Sequence, residues 1–230
     1  MAKILIIIVG LLLAGAFPFH RWAVKWGNPL VYGVVNTAGL LLILLGGRAE
    51  PALLIFGYLS VLLGVLVALA ENDEAKIIAY NNLAQTGLVL IALGLNTALG
   101  LLAAMLLIAH QALVKPFLLV VSPKRGSLER LLGWLANAAL PPFAGFWALH
   151  YLILSGVQKA NPWLLVIVIG GSIGLLAVSL RAIRRPTADI KPSWPLLWGL
   201  AILLLGLCMP LVIEHLANPL LLQLVKGVLK

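Results

Sequence analysis

Lys115 is the residue whose chemistry stands out. It lies in a long apolar stretch, with His110 five residues before it and Pro116 directly after it. Lysine and histidine are side chains that, withdrawn from water, can take up and release a proton near neutral pH. Five residues advance a helix by about 7.5 Å and turn it by about 140°, so Lys115 and His110 do not share one helix face. A water-filled seam would have to bridge them. The alternative is a snorkelling lysine whose amine reaches the membrane interface. Pro116 removes a backbone donor and disfavours helical geometry at Lys115, which predicts a helix break there. Pro141-Pro142 with Gly145 predicts a second break, and His150 follows Gly145 by about one and a half turns. Broken helices at membrane depth build ion sites, and they also serve as simple packing kinks.

Other polar residues are sparse. His20 follows Phe17-Pro18-Phe19 at the end of the first apolar stretch, where solvation at an interface is the ordinary role. Asn36 sits inside the second stretch, where an amide commonly joins helices. Glu214-His215 marks the far end of the last stretch. Asn81, Asn82, Gln85 and Thr86 give the fourth stretch a polar start, preceded by Glu71, Asp73, Glu74 and Lys76. That charged entry is either a solvated loop or a docking surface for another subunit.

The elements that carry these residues follow from composition. The chain has 230 residues, 63% of them hydrophobic and 10% charged. Soluble domains run at about 45–50% apolar and about 25% charged, so this is an integral membrane protein. A soluble enzyme, a disordered segment and a nucleic-acid module are excluded. The single cysteine, Cys208, cannot form a disulfide framework or a multi-cysteine metal or iron–sulfur site, and its apolar surroundings suggest packing. A spanning helix takes about 20 apolar residues. Eight such spans are expected, at about 3–20, 29–47, 52–70, 77–95, 97–121, 131–155, 162–180 and 195–216. The runs are continuously apolar rather than alternating, so the fold class is an all-α polytopic membrane protein and not a barrel. Lys3 and Ala14-Gly15-Ala16 mimic a signal peptide with its cleavage site, but the residues that follow belong to a motif, and the segment is read as a span.

The net charge of +9 fits loops held on one side of a bilayer. One face collects Arg21, Lys25, Lys76, Lys124, Arg125, Arg130, Arg181, Arg184, Arg185 and Lys191. The other collects Lys3, Arg48, Lys159, Lys226 and Lys230. The richer face is expected in the cytoplasm, which puts both termini outside the cell membrane. The tail 218–230 is expected as a short interfacial helix or a frayed end. Phosphate-binding glycine loops, nucleophile elbows and haem- or quinone-type ligand sets are absent from the sequence.

Four motifs occur in order between Phe17 and Trp147. Phe17-Pro18-Phe19-His20-Arg21-Trp22 resembles an "FPFHxW" segment, and Lys76 to Gly87 resembles "KxxLAYSSIxQxG". His110 to Leu118 resembles "HxxxVKxxLF", and Leu140 to Trp147 resembles "LPPFSGFW". In this register the chain resembles the proton-translocating, antiporter-like membrane subunits of respiratory complex I, Mrp cation/proton antiporters and energy-converting membrane-bound hydrogenases. The resemblance covers residues 1–217 as a single membrane domain similar to the family's helices seven to fourteen, so the first inverted repeat is missing. It implies a non-redox subunit that conducts protons or a coupled cation. Lys115, His110, His150, His20 and Asn36 would form the relay, and Pro116, Pro141, Pro142 and Gly145 the helix breaks. It implies other membrane subunits as partners, and places any nickel–iron, iron–sulfur or flavin centre in them, with no cofactor in this chain. Three family lysine positions are lost: they fall on Leu13, Asn36 and Leu149. That loss leaves open a structural spacer as the second reading. A stand-alone secondary transporter ranks below both, because half of a two-repeat fold cannot alternate access by itself.

Overall fold

The structure is a computed structural model that describes residues 2–46, 51–121, 128–160, 162–184 and 195–217. Among the described residues every regular element is helical. α1 (Ala2–Leu13) is followed, after a non-helical stretch, by the short α2 (His20–Trp26). A π-helical turn, Val31–Val35, runs straight into α3 (Asn36–Gly46). Then come α4 (Pro51–Ala70), α5 (Glu74–Gly94) and α6 (Ala98–Val121). α7 (Leu128–Asn137) and α8 (Ala144–Gln158) divide the sixth expected span. α9 (Pro162–Ile183) and α10 (Pro195–Val212) complete the bundle, and α10 ends in a π-helical turn, Ile213–Ala217. Five helices are long and apolar enough to cross a membrane, α4, α5, α6, α9 and α10 with its final turn, and two shorter apolar helices cover 4–13 and 31–46. With the divided pair α7–α8 these account for the eight expected segments. The tail 218–230 and the cations Arg48, Lys124, Arg125, Arg185, Lys191, Lys226 and Lys230 lie outside the described residues.

Burial runs opposite to hydropathy, as it must when the solvent is lipid. α5 has the lowest mean hydropathy of the five long helices, 1.4, and is 89% buried; α10, at 2.6, is 28% buried. The Asn81, Asn82, Gln85 and Thr86 side chains would each cost several kcal/mol unsatisfied in hydrocarbon, so α5 is driven to the centre. α4, α9 and α10 turn Ile55, Leu62, Leu66, Val166, Ile173, Leu197 and Leu204 outward, where acyl chains solvate them without penalty.

Two interruptions shape the bundle, and only one stands where it was expected. The first span ends at Leu13 rather than reaching 20. Gly15 takes φ +60°, while the Gly15 and Ala16 N–H groups donate back to the Leu12 and Leu11 carbonyls, each at 3.1 Å. This is the Schellman closure that a glycine past a helix end permits. The backbone on either side of the turn also takes bonds from neighbours: Trp22 Nε1 donates to the Leu12 carbonyl at 2.6 Å, and the Phe17 N–H donates to Ser60 Oγ at 3.0 Å. The second interruption, residues 138–143, falls at Pro141-Pro142. By contrast, the break expected at Pro116 does not occur. α6 is continuous from Ala98 to Val121 with Pro116 inside it. A proline removes one ladder bond, and packing against neighbouring helices is enough to hold the remaining ones.

Irregular backbone at membrane depth must be buried in protein. Each interruption is covered by a glycine of an adjacent helix. A Cβ on Gly39 of α3 would lie 2.3 Å from the Ala14 nitrogen, and one on Gly206 of α10 would lie 2.2 Å from the Pro142 carbonyl oxygen. Backbone atoms cannot swing away as side-chain tips do. Gly206→Ala should therefore lower the unfolding free energy by about 1–3 kcal/mol, read as an earlier thermal transition of the detergent-solubilised chain.

Candidate functional site

The polar interior is built on α5, α6, α7 and α9. Lys115 is fully buried, and its amine ends inside the bundle, which rules out snorkelling. Nζ donates to Asn81 Oδ1 of α5 and, at 2.6 Å, to Asn137 Oδ1 of α7. Asn137 is the hub. Its Nδ2 donates to Ser179 Oγ of α9 at 3.0 Å, and Gln85 Nε2 of α5 donates to the Asn137 carbonyl at 3.0 Å and to its Oδ1 at 3.3 Å. Asn137 is the last residue of α7, so the interruption that follows delivers this amide to the amine. No carboxylate of the described residues pairs with Lys115; the ion pairs among them are Lys76–Glu71 and Arg130–Glu74. The two amide oxygens accept from the amine whether it is an ammonium or neutral, and no carboxylate among the described residues fixes its charge.

Around this hub lie polar atoms with no protein partner among the described residues. They include Asn81 Nδ2, Gln85 Oε1, Thr86 Oγ1 and Gln111 Nε2, together with both ring nitrogens of His110. Buried donors and acceptors of this kind are the positions that ordered water occupies. His110 is 2% exposed and makes no hydrogen bond to Lys115. It lies against the start of α8, where a Cβ on Gly145 would come 2.9 Å from its Cε1 and Nε2. Gly145 therefore makes room for the imidazole beside the interrupted backbone.

The remaining expected residues are not gathered at the hub. His150 is exposed on the outer face of α8, stacked on Phe146 at 6.3 Å and edge-on to Trp147 and Tyr151. The structure places His150 apart from the Lys115 hub, because the restart of α8 at Ala144 sets the helix rotation. Asn36 is buried beside the first interruption, and neither atom of its amide has a partner among the described residues, so it does not join helices there. His20 is half-buried, with its ring 6.1 Å from Phe17 and 6.3 Å from Tyr80, the residue before Asn81. Burial, and then the adjacent Arg21 guanidinium, lower the His20 pKa below its ordinary value. Cys208 is exposed on α10 rather than packed inside. Asn137 and Ser179 are the partners that sequence reasoning missed. An amide three residues before Leu140-Pro141-Pro142 is the one signal that could have pointed to Asn137.

Asn137→Leu removes an acceptor from Lys115 and the donor to Ser179 in one step. It should destabilise the chain by about 2 kcal/mol, and less in a Lys115→Met background, which a double-mutant thermal-unfolding series would show.

The family described as NADH:quinone oxidoreductase/Mrp antiporter, TM, matches over residues 1–128. Subunit 14 of the NADH-quinone oxidoreductase of Thermus thermophilus is 30% identical over an alignment covering 91% of this chain and 58% of that protein. Formate hydrogenlyase subunit 3 of Escherichia coli is 29% identical, covering 94% and 46%. The fold resembles a chain of the Mrp complex from Dietzia sp. DQ12-45-1b with a TM-score of 0.78 at 18% identity, covering 99% of this chain and 61% of that one. The chain thus spans about half the length of the curated relatives it matches, 58% and 46% in these two cases.

Proposed function

The chain belongs to the NADH:quinone oxidoreductase/Mrp antiporter transmembrane family, and from that premise we propose that it is a membrane subunit conducting protons or a coupled cation within a multisubunit, energy-converting assembly. The relatives' names supply the setting: an NADH-quinone oxidoreductase, a formate hydrogenlyase and a Na(+)/H(+) antiporter. The observation that carries the proposal is the fully buried Lys115 amine, held by Asn81 and Asn137 without a carboxylate. The amine exchanges its proton with water ordered along α5 and α6. Asn137 and Ser179 orient it from the α7 interruption, and His110 offers a second proton-accepting group toward α8. His20 beside Tyr80 lies at the approach from the more basic end, and Asn36 borders the first interruption.

That basic end faces the cytoplasm in this proposal, on the ten-to-five division of loop cations, so both termini lie outside. In this reading electron transfer, and any nickel–iron, iron–sulfur or flavin centre it requires, belongs to partner subunits; the one cysteine supplies too few thiolates for an iron–sulfur or nickel–iron centre. The test is Lys115→Ala in the assembled complex, with cation and proton uptake into vesicles as the readout; unchanged coupling would sink the proposal. One observation favours a structural spacer instead: the family lysine positions at Leu13 and Leu149 are apolar and that at Asn36 is uncharged, which shortens any relay. A spacer predicts that Lys115→Ala changes nothing but stability.

A further inference from the structure

A second polar site lies away from the Lys115 hub, where α2 meets the start of α5. A cleft of about 390 Å³ is lined there by Arg21 and Lys25 of α2, Lys76 and Tyr80 of α5, Asp73 at the α5 N-cap, and Tyr32 of the π-helical turn. Its charge is unbalanced. Asp73 Oδ1 accepts from the Ala75 N–H at 3.0 Å as a helix cap, and Glu71 Oε1 accepts from the Asn72 and Asp73 N–H groups. Lys76 keeps only a 4.0 Å approach to Glu71. Neither Arg21 nor Lys25 has a carboxylate within ion-pair distance among the described residues. Tyr32 contributes an apolar wall, because its hydroxyl is spent on the Ala23 carbonyl at 2.9 Å.

The cleft also borders a segment with the make-up of a bilayer interface. α2 is seven residues long, His20–Trp26, and alternates cations with Trp22 and Trp26. Trp26 is 64% exposed, and the Lys25 ammonium lies 5.3 Å over its ring centroid. Exposed tryptophan beside arginine and lysine is the composition of a bilayer interface. Directly after α2 the chain enters the apolar stretch 31–46, which carries it into hydrocarbon.

We propose that this cleft binds the phosphodiester headgroup of an anionic phospholipid, with Arg21, Lys25 and Lys76 on the phosphate and the acyl chains running down beside Trp26. A phosphate suits a cleft lined by these three cations, arginine through its fork and the lysines as point charges. Free inorganic phosphate shares that chemistry but has nothing to place against the exposed indole. The site is independent of conduction through Lys115.

Native mass spectrometry of the detergent-solubilised full chain, titrated with phosphatidylglycerol and with phosphatidylcholine, tests it. Phosphatidylglycerol should be retained in preference, and R21Q/K25Q/K76Q should weaken its retention by roughly a hundredfold, about fivefold per cation. All three side chains are exposed, so the triple variant should fold; R184Q, which removes an exposed cation elsewhere, should retain the lipid as the parent does. Equal retention of the two lipids, or a triple variant that still prefers phosphatidylglycerol, would overturn the proposal. Displacement of phosphatidylglycerol by millimolar inorganic phosphate would overturn the lipid assignment and leave a free-phosphate site.

Discussion

Exchanging Lys115 for methionine will cut proton uptake by vesicles of the assembled complex about a hundredfold or more, while the chain unfolds at nearly its original temperature. The two halves of this expectation have separate causes. Methionine has similar length and fills the same space, but it carries no exchangeable proton, so the central step of the proposed relay disappears. The stability change stays small because the amine is buried without a carboxylate. Removing it recovers the desolvation cost of a charged or strongly polar group, and the loss of a donor to Asn81 and Asn137 opposes that gain. The net shift should stay within about 2 kcal/mol. Lys115→Arg sharpens the test. Its guanidinium keeps the positive charge but does not give up its proton, so uptake should fall there as well. A variant that folds normally and transports at the parental rate would remove Lys115 from the path. Loss of uptake in both variants, with assembly intact, is not what a spacer would show.

Arg130→Ala should have the largest effect on stability, about 3 kcal/mol. Arg130 lies near the start of α7, is 4% exposed, and ties three helices together. Its Nε and Nη2 donate to Glu74 Oε1 of α5 at 3.2 and 3.0 Å, and Nη2 also donates to the Ala182 carbonyl near the end of α9 at 2.8 Å. Truncation leaves the Glu74 carboxylate with Trp134 Nε1 at 3.3 Å as its remaining side-chain donor from α7. The stranded anion, rather than the lost attraction, dominates the cost. Glu74 is about a quarter exposed, which keeps the figure at the lower end for buried pairs. The double variant with Glu74→Ala should be less destabilised than the two single variants added together. Thermal unfolding of all four proteins checks this; strict additivity would mean that the pair is not coupled.

The placement of these residues shows where sequence reasoning holds. Helix breakage was legible at Pro141-Pro142, where two adjacent prolines remove two donors, but not at Pro116, where one proline is absorbed by a well-packed helix. The end of α1 at Leu13 rested on Gly15 closing the helix, a signal overshadowed by the apolar residues on both sides. Lys115 was visible because an ionisable residue in an apolar run is conspicuous. Asn137 was not, because a single amide in an apolar segment carries no sign of which neighbouring helix it will meet.

Composition and the length of apolar runs determined by themselves that this chain is a helical membrane protein, because lipid imposes a satisfied backbone on every spanning segment and only helices of about 20 residues meet that demand without partners. Motif order determined its family. Tertiary structure alone decided which polar side chains meet. Asn81, Asn137 and Ser179 come from helices distant in sequence, and their rotation is set by where α7 stops and where glycines such as Gly206 let backbones touch. Periodicity within a segment carries no information about the rotation of the segment packed against it. That is also why His150, one residue from a family lysine position, faces outward while Lys115 is enclosed.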